Sequence, residues 1–144
     1  MFQGSASLSL DAKGRLSVPS RHRDALQAQC AGQLTLTRHP DGCLLVYPRP
    51  VWEQKRAEIM AFPASARALQ RLLLGHAMDV DLDGTGRVLI APELRTAAHI
   101  ERDVLLMGMG AHFELWDRAT HDAVEATALA AGVTEALAGS GFSF

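Results

Sequence analysis

Apolar and polar residues alternate along this chain in short runs, and the runs come in two matching sets. Leu8 and Leu10 alternate with polar neighbours, a polar turn follows, and Leu16 and Val18 resume the alternation. A period of two marks strands with one buried face. The pattern predicts a strand over 5–10, a turn over 11–14 and a strand over 15–18. A helix over 20–29, strands over 33–38 and 43–48, and a helix over 50–61 follow. The same order recurs: strand 76–82, turn 83–86, strand 87–90, helix 92–98, strands 103–108 and 112–117, helix 119–131. Phe62-Pro63-Ala64 interrupts between the sets, since proline disfavours helix at the residue before it. A connecting helix, Ser65–Leu74, is expected to start on a Ser65 cap.

The two sets are copies. Leu8 aligns with Val80 and Ala25 with Ala97 at a constant offset of 72, without a gap. Asp11, Gly14, Arg15 and Arg23 fall on Asp83, Gly86, Arg87 and Arg95. Leu8, Leu10, Leu16 and Val18 fall on Val80, Leu82, Val88 and Ile90. The chain therefore reads as a first repeat over 1–62, a connecting helix over 63–75, a second repeat over 76–137 and a flexible tail over 138–144. The fold class is mainly β with peripheral helices (α+β). One small sheet per repeat leaves unpaired edges, and two copies can close each other's edges. One intertwined barrel is expected, not two beads.

The shared motif is Asp-x-x-Gly-Arg. Gly14 and Gly86 fit a tight connection that needs positive φ. Asp11 and Asp83 can accept backbone N–H bonds inside the turn. Arg15 and Arg87 have two possible duties: an ion pair that locks a turn, or a guanidinium facing phosphate or a guanine edge. A carboxylate can also orient an arginine that meets DNA, so the two duties can coexist.

Charge separates the repeats. The whole chain has 144 residues and a net charge of −2, which excludes a uniformly basic nucleic-acid binder. Between Asp11 and Asp24, however, Lys13, Arg15, Arg21 and Arg23 outnumber two anions, and His22 adds polarity. Over 83–96 the cations Arg87 and Arg95 are balanced by Asp83 and Glu93. The first repeat is therefore the expected DNA face, with Arg87 serving either DNA or assembly.

Other chemistry finds no foothold. The six histidines share no metal-ligand spacing, and neither a phosphate loop nor a Gly-x-Ser-x-Gly elbow occurs. No catalytic residue, metal, cofactor or small-molecule substrate is expected. Asp117 and His121 read as a surface pair, and Trp52, Trp116, Tyr47 and Phe113 as core. The Leu69, Leu72 and Leu73 stripe reads as core or subunit contact. Cys30 and Cys43 read as half-buried free thiols. No signal peptide or membrane span is expected, which points to the cytosol.

The segments Asp11-Ala-Lys-Gly-Arg-Leu-Ser-Val-Pro-Ser-Arg-His-Arg23 and Asp83-Gly-Thr-Gly-Arg-Val-Leu-Ile-Ala-Pro-Glu-Leu-Arg95 resemble the paired motifs of the MraZ family, among the AbrB-like and MazE-like swapped-hairpin DNA-binding proteins. The resemblance runs from Met1-Phe-Gln-Gly to Phe113-Glu-Leu-Trp-Asp117. It implies a double-split β-barrel formed by two tandem repeats. It also implies a bacterial, nucleoid-associated repressor of its own gene and of the adjoining division and cell-wall cluster. Such a protein binds double-stranded DNA at short promoter repeats as a ring-like homo-oligomer. Arg15, Arg87 and Lys13 carry over as DNA residues, and Arg21 and Arg23 join them on charge. Ala91 departs from the pattern, standing where the second motif often has proline. An antitoxin-like interaction protein is the alternative, though the tail after Leu137 is short and not strongly acidic.

Overall fold

A computed structural model describes residues 1–144. The elements run β1 (Ser5–Ser9), β2 (Arg15–Ser17), α1 (Ser20–Cys30), β3 (Gln33–Arg38), β4 (Leu44–Pro48) and α2 (Arg49–Met60). Then come α3 (Arg67–Gly75), β5 (Met78–Asp81), β6 (Arg87–Leu89), α4 (Pro92–Ala97), β7 (Asp103–Gly108), β8 (Phe113–Asp117) and α5 (Arg118–Ala131). Short 3-10 turns precede α3 and follow α5. The expected Ser65 cap does not form. Ser65 lies inside the first of these turns, and α3 starts at Arg67 without a side-chain cap.

Six strands form one antiparallel sheet in the order β1-β7-β8-β4-β3-β5. The hairpins β3–β4 and β7–β8 fill the centre and meet through Leu44–Leu115 and Val46–Phe113. The outer strands are exchanged between repeats. β1 of the first repeat pairs with β7 of the second, and β5 of the second pairs with β3 of the first. β2 and β6 pair only with each other, as a separate two-stranded ribbon.

The main-chain ladder does not close on itself. β1 and β5 remain the sheet's two edges. The cause lies at the Asp-x-x-Gly turns, which lead the chain off the sheet and onto its face. The ribbon is then joined to the sheet by side-chain packing.

Burial follows from this layering. One sheet face meets the ribbon, α1 and α4 in a core that includes Leu16, Val18, Leu34, Leu36, Val88, Ile90, Phe113 and Leu115. The other face meets α2 and α3 through Leu45, Tyr47, Trp52 and Ile59, with half-buried Leu73 against them. Under α5 it carries Cys43, Leu105 and Trp116. The central strands are thus buried on both faces, which explains the unbroken run Leu44-Leu-Val-Tyr47. Both cysteines are free and fully buried rather than half-buried. Burial pushes the Cys43 thiol up to about 12.

Two arginines fasten the exchanged edges. Arg49, at the start of α2, donates to the Leu34 carbonyl (2.7 Å) and the Thr35 hydroxyl (3.0 Å), beside Asp79 of β5 (3.4 Å). Arg118, at the start of α5, donates to the Ser7 hydroxyl of β1. Asp117 caps α5 by accepting from the Thr120 N–H. His121 pairs with Asp122 and Glu125, so the expected Asp117–His121 pair does not form.

Candidate nucleic-acid interface

The two motifs build the same turn twice. The Asp11 carbonyl accepts from the Gly14 N–H and the Asp11 N–H donates to the Arg15 carbonyl, both at 3.0 Å. Asp83, Gly86 and Arg87 repeat this at 3.0 and 2.8 Å. Gly14 and Gly86 take φ of +80° and +79°, the left-handed region that glycine enters without steric cost.

Each aspartate then organises its own loop. Asp11 Oδ1 accepts from the Lys13 and Arg15 N–H groups (3.0 and 2.8 Å), and Oδ2 accepts from Arg15 Nε at 2.7 Å. Asp83 Oδ1 accepts from the Thr85 N–H and hydroxyl and from the Arg87 N–H, all at 2.9 Å. Its Oδ2 accepts from Arg87 Nε, also at 2.9 Å. Each arginine thus spends one nitrogen on its aspartate. The terminal guanidinium nitrogens of both have no partner in the chain. The turn-locking ion pair forms in both repeats and leaves the terminal nitrogens free of hydrogen bonds within the chain.

These bonds hold both carboxyls below the usual carboxylate range. The Arg87 N–H is the largest cause at Asp83, and the Arg15 N–H at Asp11; a smaller desolvation opposes both. A lowered native pKa stabilises the fold above the ordinary value of 3.8 and loses that contribution as pH falls below it. The melting temperature is expected to hold down to that range and then fall. Asp83→Asn is expected to shrink the acid-side fall. An identical acid profile in the variant would show that the turn contributes nothing to it.

The structure brings together what the charge pattern divided. In the ribbon, Arg15 lies opposite Leu89, Leu16 opposite Val88, and Ser17 opposite Arg87. Leu16 and Val88 point into the core, so Arg15, Ser17, Arg87 and Leu89 share the outward face. Arg15 and Arg87 are diagonal neighbours, a relation that usually spans about 7–8 Å. Lys13 is exposed on the adjoining turn, and Arg21 is exposed on the first turn of α1. The basic first repeat and the neutral second repeat do not present separate faces for the two motif arginines.

Two other residues of the basic stretch are placed differently from expectation. Arg23 reaches across to the second repeat's turn, where Nη1 donates to the Thr85 carbonyl at 3.1 Å. Its side chain lies where a Cβ on Gly86 would be. His22 is buried, edge-on to Phe113 with ring centroids 4.9 Å apart. Burial, then the nearby Arg21 charge, lowers its pKa and favours the neutral ring.

Arg95 was missed as a site residue, and it mirrors Arg23. It covers Gly14 of the first turn while Nε donates to the Ile90 carbonyl at 2.9 Å. The Arg23–Arg95 alignment was the available signal. Each repeat thus lays an arginine over the other's glycine.

No three His, Cys, Asp or Glu side chains converge as a metal cluster. No helix is long and apolar enough to cross a membrane.

Comparison with known proteins agrees with the repeat. The profile of a family described as "MraZ protein, putative antitoxin-like" matches residues 1–72 and again 73–139. The Transcriptional regulator MraZ of Bordetella pertussis is 69% identical over 144 residues, covering all of both chains. Proteins of the same name from Herminiimonas arsenicoxydans and Cupriavidus taiwanensis are 62% and 60% identical over the same full span. Two tandem profile matches and full-length relatives at this identity establish that the chain belongs to the MraZ family of transcriptional regulators.

Proposed function

We propose that this protein is a sequence-specific repressor that inserts the β2–β6 ribbon into the major groove. One observation carries the reading: Arg15 and Arg87 share one exposed ribbon face, each oriented through Nε with its terminal nitrogens free. A two-stranded ribbon fits the major groove, and an arginine fork matches the O6 and N7 of guanine. Lys13 and Arg21 flank the face and suit phosphate contacts, which position a protein without reading sequence. Arg23 acts indirectly in this reading, by holding the second turn.

The ribbon laid over the sheet, with outer strands exchanged, is read as the split, swapped-hairpin architecture of 1–62 and 76–137, joined by 63–75. A single ribbon reaches few base pairs. Tight binding therefore calls for a ring-shaped homo-oligomer that engages several promoter repeats and gains by effective concentration. Exposed Leu69 on α3 and exposed Val124 and Leu129 on α5 supply apolar surface for such contacts. The proposed targets are the protein's own gene and the adjoining division and cell-wall cluster, on nucleoid DNA in the cytoplasm. No cofactor or small molecule is needed. Residues 138–144 have no charged side chain, which does not favour an antitoxin-like grip on a basic partner.

Footprinting on the gene's own upstream region tests the reading. Protection of short repeats is expected, and it should weaken steeply as salt rises because phosphate contacts release counterions. Absence of protection, or a flat salt response, would overturn it.

A further inference from the structure

The outward ribbon face is not wholly polar. Leu89 is 49% exposed and lies across the strand pair from Arg15. About half of its surface is open to solvent. The repeat places Ser17 at the equivalent position, across from Arg87. A lone surface leucine is ordinarily unremarked. This one stands in the same row as the two arginines that the ribbon reading puts against base edges.

We propose that Leu89 is a specificity-determining residue that contacts the 5-methyl group of a thymine beside the base met by Arg15. The inference rests on the ribbon reading above. In the major groove only thymine offers a methyl group, and apolar side chains recognise it by contact. Leucine has no donor or acceptor. A cytosine in that place would lose the water around its N4 amine and gain no partner, which is costly. Ser17, with a hydroxyl that both donates and accepts, suits a polar edge instead. The ribbon is therefore near-symmetric in its arginines and asymmetric in their neighbours. It has a preferred direction on its site, with the Arg15–Leu89 end demanding the methyl group.

The test compares upstream-region DNA prepared with thymidine against the same DNA prepared with deoxyuridine, which lacks only that methyl. Full-length wild type is expected to bind the deoxyuridine DNA roughly fourfold more weakly per engaged site, as about one lost methyl contact predicts, and more weakly still where several sites are linked. Leu89→Ala is expected to bind both DNAs alike, at the wild-type level on deoxyuridine. Equal wild-type binding to both DNAs would overturn the inference, as would a Leu89→Ala variant that still senses the methyl. A drop in the mass of Leu89→Ala by light scattering would make the leucine a subunit contact and would also overturn it. Arg15→Ala is run alongside. Its loss of binding on both DNAs keeps the ribbon reading intact whatever happens at Leu89. Unchanged binding by Arg15→Ala would remove the ribbon reading and the inference together.

Discussion

Arg15→Ala and Arg87→Ala are each expected to weaken specific DNA binding by roughly 5- to 150-fold per site, the range for one bidentate arginine–guanine contact. The two losses should be comparable, because both arginines sit on one ribbon face in the same Asp-held geometry. In an oligomer the loss multiplies across linked sites, so the measured effect should approach abolition. Stability should barely change, since both guanidinium groups are partly exposed and an exposed ion pair contributes little. Arg15→Lys should not rescue binding, because an ammonium cannot present a planar fork. Asp11→Ala should fall between, keeping the charge but freeing its orientation. The measurement is a gel-shift titration at fixed salt, with thermal melting as the folding control. Wild-type affinity in Arg87→Ala alone would mean that only the first repeat reads DNA, and the shared-face reading would fall.

Gly86→Ala is expected to act on the fold instead. A non-glycine residue at φ +79° costs about 1–2 kcal/mol. The new Cβ would also meet Arg23, with Nε at 2.7 Å and Nη1 at 2.8 Å. Arg23 is a flexible side chain and can move, but only by leaving the Thr85 carbonyl. The combined loss should be about 2–3 kcal/mol, or roughly 5–10 °C in melting temperature. A cycle with Arg23→Ala separates the two parts. The backbone cost should persist in the double variant, whereas the steric share should vanish. An unchanged melting temperature in Gly86→Ala would contradict the account of the turn. Gly14→Ala should behave similarly, because Arg95 covers Gly14 with Cζ at 2.8 Å.

These two predictions divide what the sequence showed from what it concealed. The Asp-x-x-Gly-Arg turn was legible because its requirements are local: one positive φ, one short acceptor and a neighbouring N–H. The hairpins 33–48 and 103–117 were legible for the same reason. Partner choice was not. Ser5–Ser9 alternates identically whichever strand it joins, and nothing local says that it pairs with β7 of the other repeat. The helix start falls later than Ser65 suggests because a 3-10 turn over Ala64–Ala66, entered from Pro63 without a side-chain cap, precedes α3. Charge counting set Arg23 beside Arg15, yet side chains two turns apart in space obey reach and not sequence distance. Counting also hid Leu89, because an apolar residue in a strand defaults to the core.

The exchange of outer strands has a consequence for how the protein is made. Ser5 lies opposite Met107 in the ladder, so β1 has no partner until nearly three-quarters of the chain has left the ribosome. The emerging first repeat can form its β3–β4 hairpin early, but β3 also waits for β5, and the ribbon waits for β6. Synthesis therefore carries two open strand edges through most of elongation, the stage at which such edges invite mispairing between nascent chains. The finished molecule gains from the same arrangement. Neither repeat can loosen without withdrawing a strand from the other, and a product that ends before β6 would lack the paired ribbon.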